Sequence, residues 1–439
     1  MSSEANGQRP GPLEGVRVLE FSEIIAAPFC GMLLADMGAD VIKVEPPGGE
    51  PWRGAQPLGL KESRWFISLN RGKRDITLDL QQPEGREIAW KLADRADVVI
   101  VNYRPDVSEK LGIDEPTLRA RNPRLIYCDN TAFGRRGPWA HRPGYDIIAQ
   151  AVTGLMTLEG KSQNGVPQVN TLPAADYSTG LAMAWGICAA LYVRERTGVG
   201  QRIDTTLLGS ALAVQTSRFL SVEAVDGEAR ANALAQLHAL RDKGAGYEAQ
   251  LEVVKNVRPV LGNIYYRCYQ TADGFLAVGA LSTPLRRKVL DVLGMEDRRL
   301  GKPPPDASDP EEVRYGEELV RRAEDTLRQR TTADWLERFD RAGVPAGPVM
   351  FTEQLLEDPQ VLANDLVAQV EHPLLGSVRM VGTPIQMTET PLRVRGCSPL
   401  LGQHNEEILA ELGYGPEEIE RLRDQGVLNG GLEENGAIA

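Results

Sequence analysis

From residue 16 to residue 134 the chain alternates strand-length apolar runs with helix-length amphipathic ones, and this limits its fold more than any other feature. VRVLEF at 16–21 reads as a buried strand. IIAAPFCGMLLADMG has apolar residues at helical spacing and stops at a glycine. ADVIKVEPPGGE is a second strand running into a turn, which completes a βαβ unit. PEGREIAWKLADRA is a helix opened by proline. DVVIVNYRP is a strand, DEPTLRARNP a helix and RLIYCDNTAFG a strand. Strands that are apolar nearly throughout need cover on both faces, so the pattern predicts an α/β fold around a parallel sheet.

Further along, 176–197 predicts a long, largely buried helix, and GVGQRIDTTLLGSALAVQ a short strand followed by a helix. Residues 221–255 are charged and mostly helical and read as a linker. GNIYYRCYQTADGFLAVGAL has two strands about an ADG turn, the mark of a hairpin. Helices follow it, which predicts a second, smaller domain at 256–348. The expected organisation is 12–220 for the first part of a large domain, 221–255 for the linker, 256–348 for the small domain, and 349–430 for a return linker and the last part of the large domain. HNEEILAELGYGPEEIERLRDQGVL is helical, with Ile408, Leu409 and Leu412 on one docking face. The end, NGGLEENGAIA, is expected to fray.

Several function classes lose ground at once. With a net charge of −12 over 439 residues no basic surface dominates, as a nucleic-acid binder would normally show, although local positive patches can still hold a small anion. The polar MSSEANGQRPGP lacks a signal core, and no apolar run reaches membrane-spanning length, so the expectation is a cytoplasmic protein without a membrane partner. Cys30, Cys128, Cys188, Cys268 and Cys397 show no metal or redox spacing. His141, His238, His372 and His404 are far apart in sequence, and no metal site is expected. The first strand–helix turn has no G-x-G-x-x-G, which argues against a dinucleotide, although Glu45 ends the second strand where a ribose is often held.

Two groups of residues could carry chemistry. Arg71, Lys73 and Arg74 cluster before a strand; Asn102, Tyr103 and Arg104 end another; Arg135, Arg136 and Arg142 share a glycine-rich loop. They suit a phosphate-bearing ligand beyond the strand ends, and Tyr103 suits an adenine. They suit ordinary surface charge equally well. Asp176, alone among small and apolar residues in LPAADYSTGLAMAWG, either caps a helix or attacks an activated acyl carbon. Asp146 and Glu195 are rival acids; Asp146 reads as a loop or cap residue and Glu195 as part of a solvated pattern.

LEGVRVLEFSEIIAAPFCGMLLADMGADVIKVEPPGGE, SLNRGKRDITLDL, DVVIVNYRPDVSEKLGID, the stretch through HRPGYDIIAQAVTGLM, ADYSTGLAMAWGICAALYVRERTGVGQRID, YQTADGFLAV, GVPAGPV and LGQHNEEILAELGY together resemble the family III coenzyme A transferases of the CaiB/BaiF type. That group includes formyl-CoA:oxalate transferase and the related α-methylacyl-CoA racemases. The resemblance spans 12–430. It implies a large Rossmann-like domain formed by both chain ends, a smaller inserted α+β domain, and an interlocked homodimer. It implies coenzyme A and acyl-CoA as substrates, a carboxylic acid as acceptor, and no resident cofactor or metal. The family's D-x-x-T/S-G element puts its nucleophile on Asp176. Coenzyme contacts fall on Ile25, Ala26, Arg71, Lys73, Arg74, Asn102, Tyr103, Arg104, Arg142 and Tyr145. The racemase branch carries a histidine where this chain has Tyr145, between Gly144 and Asp146. A phenol titrating near 10 is a poor base at neutrality, so the resemblance implies transferase over racemase. A non-catalytic CoA-binding protein is the third reading. VRPVLGNIYYRCY lacks the glycine-rich flap of the oxalate-type enzymes.

Overall fold

The computed structural model describes residues 9–59, 62–257, 261–303, 305–307 and 309–429. The chain divides into two compact units, Met1–Leu220 with Pro359–Ala439, and Ser221–Asp358.

The first unit is built on six parallel strands: β1 (Arg17–Phe21), β2 (Asp40–Glu45), β3 (Arg74–Thr77), β4 (Val98–Val101), β5 (Ile126–Thr131) and β6 (Arg202–Thr206). Their spatial order is β3-β2-β1-β4-β5-β6. This is the doubly wound order, and it reverses between β1 and β4, where such folds hold their ligands. Side chains alternate across the sheet. Leu19, Phe21, Val99 and Tyr127 face one layer, with the helix Pro83–Arg95 and the C-terminal helices Asn405–Glu411 and Pro416–Asp424. Val18, Val41, Val98 and Cys128 face the other, with α1 (Ala26–Asp36) and α3 (Ala174–Thr197). Between these two helices in sequence lies α2 (Asp146–Thr153), and α4 (Leu207–Ala213) follows β6.

Residues 349–401 held more order than a return linker: Val367–His372 and Gly376–Val381 form an antiparallel hairpin. The expectation for the chain end falls outside the described residues from 430 on.

In the second unit, Tyr266–Gln270 and Phe275–Gly279 pair about the ADG turn. Ala346–Pro348 adds a third strand. The helices Thr283–Leu293, Pro310–Leu327 and Thr332–Ala342 cover it through Leu290, Leu319, Trp335 and Phe339. The stretch read as mostly helical forms two helices, α5 (Glu223–Asp242) and α6 (Tyr247–Val257). They line a groove of about 610 Å³ with Ala229, Ala233, Ala239 and Val253. Alanine-rich segments favour helix whatever their net charge. Among the described residues no helix is long and apolar enough to cross a membrane.

Candidate active site

The site is built from two helix starts on one edge of the sheet. α1 and α3 each lead back into a parallel strand, so both begin at the carboxyl edge. They touch closely there: a Cβ at Gly180 would lie 2.6 Å from the Ala26 carbonyl oxygen, so only glycine fits. The rings of Phe29 and Tyr177 meet edge to face at 5.1 Å.

Asp176 is the third residue of α3 and only 7% exposed. Among the described residues its carboxylate accepts no hydrogen bond and pairs with no cation. The capping role belongs to Asp146, at the start of α2. Its Oδ1 accepts the backbone N–H of Ala175 at 2.9 Å and of Asp176 at 3.3 Å. Gln150 holds the other oxygen of Asp146. A second helix therefore satisfies the orphan donors of α3, and the Asp176 side chain is left over. Burial, then the nearby Asp146 charge, raise its pKa to about 7. Burial raises Asp146 as well.

The β1–α1 turn lies at the reversal point of the sheet, and side chains from neighbouring strand ends hold it. Lys43 donates to the Ser22 carbonyl at 2.8 Å. Asn102, just past β4, accepts the Glu23 N–H at 3.0 Å and donates to the Glu23 carbonyl at 2.8 Å. Glu50 accepts the Ile24 N–H at 2.8 Å. Ile24 has φ +72°, a left-handed conformation that costs a β-branched residue about 1–3 kcal/mol.

Beneath this turn runs a row of buried charges. Glu20 and Lys43 are register partners across β1 and β2, and Lys43 and Asp75 across β2 and β3. Lys73 reaches Glu20 at 2.9 Å, and Arg53 clamps Glu45 at 2.7 Å. Gly31 of α1 makes room, since a Cβ there would sit 1.7 Å from a Glu20 oxygen. The reading of the residues missed this row. Its signal was present, as charges set between apolar neighbours within strands: Glu20 between Leu19 and Phe21, and Lys43 between Ile42 and Val44.

Of the expected coenzyme contacts, Ile25 and Ala26 are buried at the start of α1 beside α3. Asn102, Tyr103 and Arg104 follow β4 at the same edge. Asn102 is committed to the turn. Tyr103 packs on the core, and burial pushes its phenol pKa up. Arg104 is exposed and pairs with Asp106 at 3.1 Å. Arg142, its guanidinium over Trp139, and Tyr145, 60% exposed, lead into α2 and Asp146.

Three of the expected contacts are engaged in ion pairs within the chain. Arg71 is buried, forked onto Asp36 and bonded to the Val381 and Gly382 carbonyls. Lys73 is buried among Glu20, Asn70 Oδ1 and the Pro28 carbonyl. Arg74 opens β3 and pairs with Asp40, Glu407 and Glu411 at the amino edge, away from Asp176. Arg71 and Lys73 neutralise buried carboxylates, and Arg74 pairs with partly exposed ones. Glu45, weighed as a ribose holder, is fully buried against Arg53. Arg135 is tied to Asp129, and Arg136 is exposed. Among the described residues no three His, Cys, Asp or Glu side chains converge as a metal cage would need.

A doubly wound sheet with a buried, donor-free carboxylate at its carboxyl edge defines an α/β enzyme suited to acyl chemistry. The model of CoA-transferase family III matches residues 13–405, and the chain belongs to that family; it is a CoA-transferase. It is 36% identical over 428 residues to succinate–glutarate CoA-transferase of Agrobacterium fabrum, covering 94% of this chain and 98% of the relative. It is 33% identical over 421 residues to succinyl-CoA:glutarate CoA-transferase of Mus musculus, covering 95% and 90%. A crystal structure of a CaiB/BaiF family protein from Brucella suis superposes with a TM-score of 0.72 at 32% identity, covering 92% of this chain and all of that one.

Proposed function

We propose that this chain moves coenzyme A from the thioester of one short dicarboxylic acid to the free carboxylate of another, through covalent intermediates on Asp176. The observation that carries this reading is the unpartnered Asp176 carboxylate, buried beside α1 while Asp146 caps the helix in its place. Relatives named for succinyl-CoA and glutarate support the dicarboxylate class.

The cycle balances without a proton donor. An Asp176 oxygen attacks the donor thioester carbonyl, the C–S bond breaks, and CoA leaves as thiolate. The resulting anhydride is attacked by that thiolate at the aspartyl carbonyl. The donor acid departs as carboxylate, and Asp176 carries CoA as a thioester. The acceptor carboxylate attacks this thioester and releases the thiolate, leaving a new anhydride on Asp176. The thiolate then attacks the new acyl carbonyl, which frees Asp176 and the product thioester. Holding CoA through every step makes each thiolate return intramolecular. An apolar surround weakens solvation of the attacking carboxylate and lets it react.

Coenzyme contacts are proposed for Ile25, Ala26, Asn102, Tyr103, Arg104, Arg142 and Tyr145, all on segments that meet the carboxyl edge or lead into α2. The dimer is proposed to be a homodimer, interlocked, with the Ser221–Asp358 unit inserted into a large domain made from both chain ends. Exposed apolar residues on the outer face of α3, Leu181 and the 78% exposed Trp185, support burial against a second copy. A cytoplasmic location is part of the same proposal. The test is a panel of acyl-CoA donors against free acids, read by mass spectrometry. Transfer from succinyl-CoA to glutarate or a similar diacid is expected. Exchange of the α-proton with solvent deuterium, without any acceptor, would replace this reading by the racemase one.

A further inference from the structure

We infer that Glu50 is a positioning residue for CoA transfer: its carboxylate holds Ile24 in the left-handed conformation and so fixes the start of α1 against the first turns of α3. This rests on the reading of Asp176 as the nucleophile. Four observations lead to it.

Ile24 is a poor residue for its backbone conformation. Glycine takes a positive φ freely, whereas a β-branched side chain at φ +72° stays only where its surroundings insist. The only acceptor for its N–H among the described residues is Glu50 Oε2, at 2.8 Å.

Glu50 is itself immobile. Its backbone N–H donates to Glu45 Oε2 at 2.8 Å, and that carboxylate is clamped by Arg53. Its second oxygen lies 3.4 Å from Lys43 Nζ. Glu50 is therefore a strut from the end of β2 to the turn after β1.

The turn sits where the strand order reverses, and α1 begins two residues after Ile24. Relaxation of Ile24 to a negative φ would redirect Ile25 and the first turn of α1.

The contact between α1 and α3 has no slack. The Ala26 carbonyl lies against Gly180, one turn after Asp176, and no Cβ fits between them. A displaced α1 therefore displaces the helix start that carries Asp176.

The test uses the full-length protein with succinyl-CoA and glutarate. Glu50→Ala is expected to lower kcat about 100-fold, the cost of a misplacement of roughly 1 Å, while KM for succinyl-CoA rises by a smaller factor, at most about tenfold, since of the proposed coenzyme contacts only Ile25 and Ala26 lie on the displaced segment. Glu50→Gln keeps an acceptor for the Ile24 N–H and should recover most of kcat. The decisive variant is the double change Glu50→Ala with Ile24→Gly. Glycine needs no strut to hold a positive φ, so it should restore kcat by at least about tenfold. Glu50→Ala with the parent kcat, or a double variant no better than Glu50→Ala, would overturn the inference. If Glu50→Ala does not fold, Glu50→Asp decides, because it keeps the charge by Lys43 and retracts the acceptor by one methylene. Its kcat should fall about tenfold and recover with Ile24→Gly; a parent kcat in Glu50→Asp overturns the inference equally. Absence of transfer by the unmodified protein across the donor panel would refute the functional reading instead, so the two failures are separable.

Discussion

Replacing Asp176 with asparagine should remove transfer and, at the same time, flatten the pH dependence of stability. The carboxyl titrates near 7 in the folded chain against 3.8 for an ordinary aspartate. Its folded pKa is raised, so the protonated form is the one the fold prefers. Stability is complete below the unfolded value and is lost as pH climbs toward the folded one. Holding a carboxyl that far from its ordinary value is worth on the order of 4 kcal/mol above pH 7. Roughly 2 kcal/mol of this is already lost at pH 5, so the further loss between pH 5 and pH 8 is roughly 2–3 kcal/mol. Asparagine has nearly the same shape and does not titrate. Any cost of seating its amide is independent of pH and cancels from the slope. Asp146, freed of a charged neighbour, adds in the same direction. Urea unfolding of both proteins, at matched protomer concentration, should therefore show the variant gaining on the parent from pH 5 to pH 8. A difference between them that stays constant over that range would mean that Asp176 titrates like a solvated acid. The argument from burial would then fail.

Other outcomes follow from the same geometry. The acid limb of kcat/KM should titrate near pH 7, since the ionised Asp176 is the attacking form. Asp146→Ala should cost about 1–2 kcal/mol of stability through loss of the cap and move that limb to lower pH, because a neighbouring negative charge is gone; a pH–rate profile and a urea titration check both. Gly180→Ala should destabilise by about 1–3 kcal/mol and depress kcat, because the new methyl meets the Ala26 carbonyl. Arg74→Gln should leave KM for acyl-CoA unchanged, at a stability cost of at most about 1 kcal/mol, since its ion pairs lie at the amino edge. A KM raised tenfold would return Arg74 to the coenzyme site.

The parallel sheet was legible because its strands are short, apolar and separated by helices with clear starts and stops. The long helix 174–197 was legible from its buried face. The hairpin at 367–381 was not, because its exposed strands mix polar and apolar residues without a strong turn signal. The stretch 221–255 was read as mostly helical, and two helices form there. At the site, Asp146 was read as a cap, and it is one, but of another helix, which no local pattern records. The bland reading of Asp176 as a cap fails for the same non-local reason. Arg71, Lys73 and Arg74 look like an anion site in sequence. Their carboxylate partners lie about 30 to 340 residues away in the chain, and only folding brings them together. Ile24 gave no sequence signal at all, since nothing local announces a β-branched residue at positive φ.

The most direct measurement is a search for the bond itself. The protein would be mixed with succinyl-CoA, quenched with hydroxylamine, digested and mapped by mass spectrometry. The account predicts a hydroxamate on the peptide carrying Asp176, formed only with donor present and absent from Asp176→Asn. Turnover of the same sample with the Asp176 peptide unmodified, or with the hydroxamate on a different acid, would contradict it.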